Sequence, residues 1–135
     1  MTCPECDSSL VPFVVPPELR AYVPDEREAL AICTRCLSLH PTESVDSNLD
    51  TDSDPDFSRI SESFPQGEAA VPMALMLGLL ESLALYRTEI EHLFERVERS
   101  GSDPLLIIDR LAVQGSIHPR WDPERRRHQL EQFLE

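Results

Sequence analysis

The chain has 135 residues, which is enough for one ordinary domain or two very small ones. Its formal net charge is −13, from 25 acidic and 12 basic residues, and every basic residue is Arg. This balance argues against a nucleic-acid-binding surface spread over the whole chain, although net charge counts for less in molar salt, where the Debye length falls to about 3 Å.

The acidic surplus also indicates the kind of cell. A large negative charge keeps a protein soluble where salt screens its self-repulsion, and halophiles use this device. Together with the absence of Lys, it predicts a protein from a salt-accumulating organism, most simply a haloarchaeon. The alternative is an ordinary acidic protein that lacks Lys by chance.

No export or membrane signal is visible in the sequence. The most apolar stretch, residues 69–80, is shorter than the about 20 residues needed to cross a bilayer, and it better suits a buried helix. No charged segment with an apolar core, as in a signal peptide, follows Met1. We expect a cytoplasmic protein with no membrane partner, in which cysteines are thiols or metal ligands rather than disulfides.

Residues 1–45 are predicted to form a small β domain. The β-branched, apolar run at residues 10–15 predicts a strand, and Pro17–Tyr22 predicts one helical turn. Two shorter strands are expected at residues 28–32 and 37–40, on either side of the second cysteine pair.

All four cysteines lie in this segment, as the C-x2-C pairs Cys3/Cys6 and Cys33/Cys36 with 26 residues between the pairs. Two residues between cysteines let one tight turn aim both thiolates at one ion, and two such turns complete a tetrahedral site of four sulfurs. The pattern predicts one structural zinc ion in a zinc-ribbon-like domain, with a longer insert than the about 15–20 residues of the usual pattern. Iron is the main alternative, because four-sulfur geometry suits both metals, and a redox dithiol or four uncommitted thiols are the others.

Residues 46–69 are predicted to be a flexible acidic linker. The segment contains few apolar residues, so burial cannot offset the entropy of ordering it. Against the single Arg59 it carries seven acids: Asp46, Asp50, Asp52, Asp54, Asp56, Glu62 and Glu68.

Residues 70–135 are predicted to form a three-helix domain, which makes the fold class α+β. Pro72 suits the first position of a helix, and an apolar stripe at spacings of three and four continues from there to Val97, with one polar interruption at Arg87. The sequence therefore predicts one long helix that ends at Gly101. Asp-Pro cap signals then predict shorter helices at residues 105–114 and 123–135.

The first half of the long helix, residues 72–86, is apolar on every side. Leu75, Leu79 and Leu85 lie off the stripe, and two short helices can cover one side at most. Soluble monomers rarely expose an apolar patch beyond a few hundred Å². Either the β domain folds back over this helix or a second chain covers it, and we expect a homodimer or a partner protein.

Two stretches of the chain resemble known archaeal sequences. The run CPEC at residues 3–6 resembles the CPxC knuckle of small archaeal zinc-ribbon proteins. Residues 31–41, with the helical C-terminal half, resemble an uncharacterised haloarchaeal family of unknown function. The resemblance covers most of the chain outside the acidic segment and implies zinc at the four cysteines and a haloarchaeal source. It supplies no activity, because none is assigned to the family. The chain departs from the common knuckle where Asp7 and Leu37, rather than Gly, follow the pairs.

Two histidines suggest further metal chemistry. His40 lies four residues past Cys36 and could replace a ligand, but with four thiols available a strand-end role is favoured. Glu89 and His92 form half of a di-iron motif, which needs a second copy that the chain lacks. We interpret them as a solvated helix face.

The cationic cluster at residues 125–127, near His118, Arg120 and His128, suggests a phosphate or nucleic-acid contact. The favoured interpretation is a helix face that pairs with local acids such as Glu124 and Glu131. Trp121 is expected to pack into the helical bundle rather than to stack on a base.

No catalytic constellation is present, and a closed zinc site with four thiolate ligands has no open position for a substrate. The sequence thus favours a non-enzymatic zinc-binding protein that mediates protein interaction. One alternative is a nucleic-acid-binding zinc-ribbon factor in transcription or translation, although residues 1–45 carry seven acids and three Arg with no basic face. Another is an enzyme with its site between the two halves, which would require His40, His92 or Glu89 to converge.

Overall fold

A computed structural model of the chain describes residues 3–23, 26–41 and 57–133, and the structural statements below concern these residues. The architecture is α+β, as predicted, with a small antiparallel sheet and several helices. The strands are β1 (Leu10–Val14), β2 (Ala29–Cys33) and β3 (Leu39–Pro41). The helices are α1 (Ala70–Leu79), α2 (Arg87–Arg99), α3 (Pro104–Ala112) and α4 (Pro123–Phe133).

The sheet has the order β1-β2-β3, and both strand pairs are antiparallel. All five residues of β2 are buried, because this central strand is covered on both faces. Its side chains alternate, so that Leu30 and Ile32 join the main core while Ala31 and Cys33 join a separate cluster of cysteines. One face of the sheet therefore packs on the helices, and the other carries the thiols.

The predicted helix from Pro72 to Gly101 is wrong as a single element. α1 begins at Ala70, ends at Leu79 and passes into a 3-10 turn over Leu80–Ser82, and α2 starts only at Arg87. The carbonyl of Ser82 accepts hydrogen bonds from the backbone N–H groups of Leu85 and Tyr86, which reverses the chain. The apolar spacing continues in phase across this turn, so periodicity alone could not reveal the break.

Pro72 is the third residue of α1 rather than the first. Proline is still tolerated at this position, because the backbone N–H groups of the first turn have no acceptor within the helix. The N–H that proline lacks would therefore form no intrahelical hydrogen bond. The later cap signals are confirmed: the Asp103 carboxylate accepts from two backbone N–H groups of α3, and that of Asp122 does the same for α4. Gly101 takes the left-handed conformation expected past the end of α2, with φ of 90°.

The predicted linker is wrong over residues 57–69. Phe57, Ile60 and Phe64 are buried there, and the Phe57 ring centroid lies 5.5 Å from that of Phe13 in the sheet. Averaging the composition over the whole acidic segment hid these three apolar anchors. Residues 46–56 lie outside the described residues, and their linker role stays a prediction.

The core is continuous from the sheet to the helices, with α1 at its centre. Leu75 and Leu79 are only 1% and 4% exposed, so they do not form the exposed apolar face from which a second chain at residues 72–86 was expected. Leu85, in contrast, is 73% exposed. A Cβ atom at Gly78 would lie 2.2 Å from Leu39 Cγ, so β3 packs directly on the α1 backbone. The division into separate units at residues 45 and 70 stays a prediction, and the shared core couples the two halves.

Candidate metal centre

The two cysteine pairs form the same local structure twice. We call residues 3–8 the first knuckle and residues 33–38 the second knuckle. In the first, the N–H of Cys3 donates to the carbonyl of Ser8 at 2.8 Å, and in the second, the N–H of Cys33 donates to the carbonyl of Ser38 at 3.0 Å. Each knuckle is therefore a closed turn with both cysteines on its inside.

The sheet brings the knuckles together. The first knuckle lies just before β1, and the second begins at the last residue of β2. Because these strands are antiparallel with Leu10 opposite Cys33, both knuckles lie at one end of the sheet. The N–H and the hydroxyl of Thr34 both donate to the Ser9 carbonyl, at 3.0 and 2.9 Å, and so join the second knuckle to the residue that follows the first.

All four predicted ligands converge. Their Sγ atoms lie within 4.8 Å of one another, and the Cys3–Cys36 and Cys6–Cys33 distances are 3.7 and 3.4 Å. An ion bound tetrahedrally with Zn–S bonds of about 2.3 Å would separate its sulfurs by about 3.8 Å. Since both short distances join one knuckle to the other, the thiols enclose a point between the turns, and the donor set fits one tetrahedral metal ion.

Backbone and hydroxyl groups surround the sulfurs. The Sγ of Cys33 accepts from the N–H groups of Arg35 and Cys36, each at 3.4 Å. In the first knuckle Cys3 accepts from the matching N–H groups, and Ser8 donates to Cys6. The Ser38 hydroxyl lies 3.1 Å from the Sγ of Cys36. Such donors would disperse the net charge of about −2 that four thiolates and one divalent ion carry.

The thiols differ in acidity. Burial raises the pKa of Cys33 to about 12 and also raises the pKa of Cys3, whereas hydrogen bonds, led by the backbone N–H of Ser8, lower the pKa of Cys6 to about 6. Four adjacent sulfurs cannot all ionise unless a cation compensates them. A bound metal ion would supply that charge and would convert the whole set to thiolates.

A loop from the helical half, residues 117–121, closes over both knuckles, and we call it the clasp. The N–H of His118 donates to the Arg35 carbonyl at 2.8 Å, and the Arg120 guanidinium donates to the carboxylate of Glu5. Glu5 and Arg35 hold the same third position in their knuckles. Hydrogen bonding from Arg120 lowers the pKa of the Glu5 carboxyl, and Arg120 Nε also lies 3.4 Å from Glu81.

The clasp was not predicted, because Arg120 lies 115 residues from its partner in the first knuckle. The serines of the knuckles could have been found, since Cys-x-x-Cys-x-Ser occurs twice in the sequence. The expectation that Trp121 packs inward is confirmed, because it is 7% exposed and belongs to the main core.

His40 lies in β3, opposite Ala31. Its Nε2 atom is 3.4 Å from the Sγ of Cys3, and it forms a group with Cys3 and Glu5 within 4.8 Å. It does not join the other thiols at that distance. The preference for four cysteines over a histidine ligand thus agrees with the geometry, but no sequence pattern indicated the contact with Cys3.

A cleft of about 350 Å³ lies beside the centre, between the sheet and the end of α1. His40, Arg120, Glu81 and Tyr86 are among the residues that line it, whereas Glu89 and His92 are not. The ring of His92 stacks instead on Tyr22, with centroids 5.4 Å apart. Of the residues that the enzyme alternative requires, only His40 reaches this cleft.

Within the cationic run at residues 125–127, the favoured pairing with local acids is found for Arg127. Arg127 contacts Asp109 and Glu131, and Arg126 donates to Gln129 at 2.7 Å and to the carbonyl of Glu81. These contacts hold α4 against its neighbours and occupy two of the three guanidinium groups.

Within the part of the chain that the structure describes, none of the helices has the length and apolar character needed to span a membrane.

Comparison with known proteins finds a matching family. Residues 2–134 match the family of unknown function DUF6276. No curated protein and no solved structure matches the chain.

Proposed function

The chain belongs to this family of unknown function, which supplies no activity, and we propose from its own cysteines that it is a non-enzymatic zinc-binding protein. The observation that carries the proposal is the convergence of four Sγ atoms within 4.8 Å from two equivalent knuckles. Chance placement of four thiols would not repeat one hydrogen-bonded turn twice.

We propose zinc rather than iron, because zinc is the common metal of closed structural sites built from two C-x2-C pairs. When bound, the ion supplies a fixed cross-link between the start of β1 and the end of β2. Three of the four sulfurs are buried, and all four thiols are used as ligands, so the site has no open position for a substrate. These features support a structural rather than a catalytic metal.

The proposed role of the zinc-bound fold is interaction with a partner protein in a halophilic archaeon. The halophilic source is supported by the charge of −13 and the absence of Lys. The proposed interaction surface is on α3 rather than at residues 72–86. Leu106 of α3 is 45% exposed, and Val113, directly after the helix, is 85% exposed. These two residues are seven positions apart and so share one helix face.

A direct experiment tests the metal. Full-length protein, purified without added metal in molar KCl, should contain close to one zinc per chain by elemental analysis. Cys33→Ser and Cys36→Ser should abolish this content, whereas Ser116→Ala, an exposed change outside both knuckles, should not. Iron at an equimolar ratio, or a Cys3–Cys6 disulfide in the purified protein, would refute the proposal.

The interaction surface is tested separately, at molar salt. Leu106→Glu combined with Val113→Glu should abolish recovery of the native partner from extract without changing stability, because both side chains are exposed. Leu85→Glu is the control, since it places one of these negative charges at an exposed leucine elsewhere. Equal recovery by all three proteins would remove α3 as the surface.

A further inference from the structure

The imidazole of His40 lies on the face of the sheet that carries the thiols. Residues directly opposite on neighbouring strands project to the same face, and His40 is paired with Ala31, which packs in the cysteine cluster. This register explains why Nε2 reaches to 3.4 Å from the Sγ of Cys3. The contact follows from strand pairing rather than from a flexible side chain on the surface.

A metal-bound thiolate carries no hydrogen, so a polar contact with it requires a donor on the other atom. His40 must then present Nε2 in its N–H form, which the neutral ring allows. We propose that His40 donates an N–H···S hydrogen bond to the Cys3 thiolate and acts as the positioning residue of the centre, an inference that rests on the proposed metal site.

The bond distinguishes Cys3 from its counterpart. In each knuckle the first cysteine accepts two backbone N–H groups, and these are equivalent for Cys3 and Cys33. Among the described residues, the ring nitrogen is an additional contact that Cys33 does not have. Cys3 therefore has one more donor than Cys33, and more of its electron density is withdrawn toward hydrogen.

A second metal ion on Cys3, Glu5 and His40 is the competing interpretation of the same group. Glu5 is already engaged, because the Arg120 guanidinium donates to its Oε1 atom. That fixed positive charge beside the carboxylate opposes a further dication. The geometry thus favours one ion and a hydrogen-bonding histidine.

Cobalt substitution of the full-length chain provides the test. Wild type should bind one Co²⁺ with the spectrum of tetrahedral coordination by four thiolates. His40→Phe, which keeps a ring but removes the donor, should shift the thiolate-to-cobalt charge-transfer band to lower energy, because the freed sulfur donates charge more readily. It should also weaken zinc binding by roughly 10-fold in competition with a chelating dye.

Two variants separate hydrogen bonding from packing. His40→Gln restores an N–H donor and should move the band back toward the wild-type position, whereas His128→Ala, an exposed histidine of α4, should leave it unchanged. Identical spectra and affinities for wild type and His40→Phe would overturn the inference. Two ions per wild-type chain would also overturn it, as would wild-type d–d bands typical of three sulfur ligands and one nitrogen ligand. Wild type that binds no cobalt and no zinc would overturn the metal site itself, and this inference with it.

Discussion

Asp7 and Leu37 occupy the same position in the two knuckles and share one backbone conformation, with φ of 62° and 59°. Each residue directly follows the second cysteine of its pair, where the chain must turn back for the closing hydrogen bond. This left-handed region favours Gly, and it costs other residues on the order of 1 kcal/mol or more. Asp7 is exposed, whereas Leu37 is only 1% exposed and packs in the main core.

The two residues should respond differently to substitution. Asp7→Gly relieves strain at an exposed position and should leave the stability unchanged or raise it by up to about 1 kcal/mol. Leu37→Ala keeps the strain and loses a buried side chain, at a cost of about 2–5 kcal/mol. Leu37→Gly loses the same packing but relieves the strain, so it should be less destabilising than Leu37→Ala. Urea unfolding of the zinc-loaded proteins measures this order, and the reverse order would show that backbone strain at this position is negligible.

The fold could be predicted from the sequence where local pattern decides it. The three strands, the turn at Pro17–Tyr22 and the caps at Asp103 and Asp122 each have a signal within a few residues. The break between α1 and α2 could not be predicted, because Leu80, Leu83 and Ile90 keep the apolar stripe in register through it. Those side chains are buried on both sides of the turn, and burial does not depend on a continuous helix.

The same limit applies to the candidate site. Spacing alone was enough to select the four cysteines, since a C-x2-C turn fixes its own geometry. The contacts of His40 and Arg120 depend on strand register and on the path of a distant loop. Neither follows from any local pattern, so the surroundings of the metal centre emerged only from the tertiary structure.

Metal removal should affect the whole chain rather than the first 45 residues alone. Independent halves would confine the effect to those residues, but the sheet and α1 share one core, and the clasp joins the helical half to both knuckles. A ligand held at about 1,000 times its dissociation constant stabilises the folded state by about 4 kcal/mol. Chelation under reducing conditions should therefore lower Tm by several degrees or more.

Trp121 reports on this coupling, because it is the single Trp of the chain and lies at the end of the clasp. Its emission should shift to longer wavelength together with the loss of metal and of helical circular dichroism, in one transition. Two separate transitions, with the helical signal unchanged at the first, would show that the halves fold independently.

Salt should stabilise the protein. The net charge of −13 makes the compact state repel itself when the charges are unscreened. Raising KCl from about 0.01 M to 1 M shortens the Debye length from about 30 Å to about 3 Å and removes most of that repulsion. Tm should rise over this range for the zinc-loaded protein. Sorbitol at matched osmolality controls for general solute effects, and a Tm that does not respond to KCl would contradict the halophilic interpretation.

The backbone of Gly78 packs closely against the side chain of Leu39, where α1 meets the sheet. A Cβ at Gly78 would lie 2.2 Å from Leu39 Cγ, and rotation about the Cβ–Cγ bond of Leu39 leaves Cγ in place, so it cannot relieve the clash. Gly78→Ala should gain up to about 1 kcal/mol of helix propensity but cost about 1–3 kcal/mol through overpacking, so the net effect is destabilising. Gly115→Ala is the matched control, since an added Cβ there has no heavy atom within 4 Å.

The same substitution connects helix packing to the metal centre, because Leu39 precedes His40 in β3. Displacing this strand should pull the imidazole away from Cys3 and reproduce part of the spectral shift expected for His40→Phe. Adding Leu39→Ala makes room for the new methyl group, so the double variant should recover the wild-type cobalt spectrum and be more stable than the sum of the single changes predicts. Additive stabilities together with an unshifted cobalt band in Gly78→Ala would mean that β3 does not transmit packing on α1 to the metal centre.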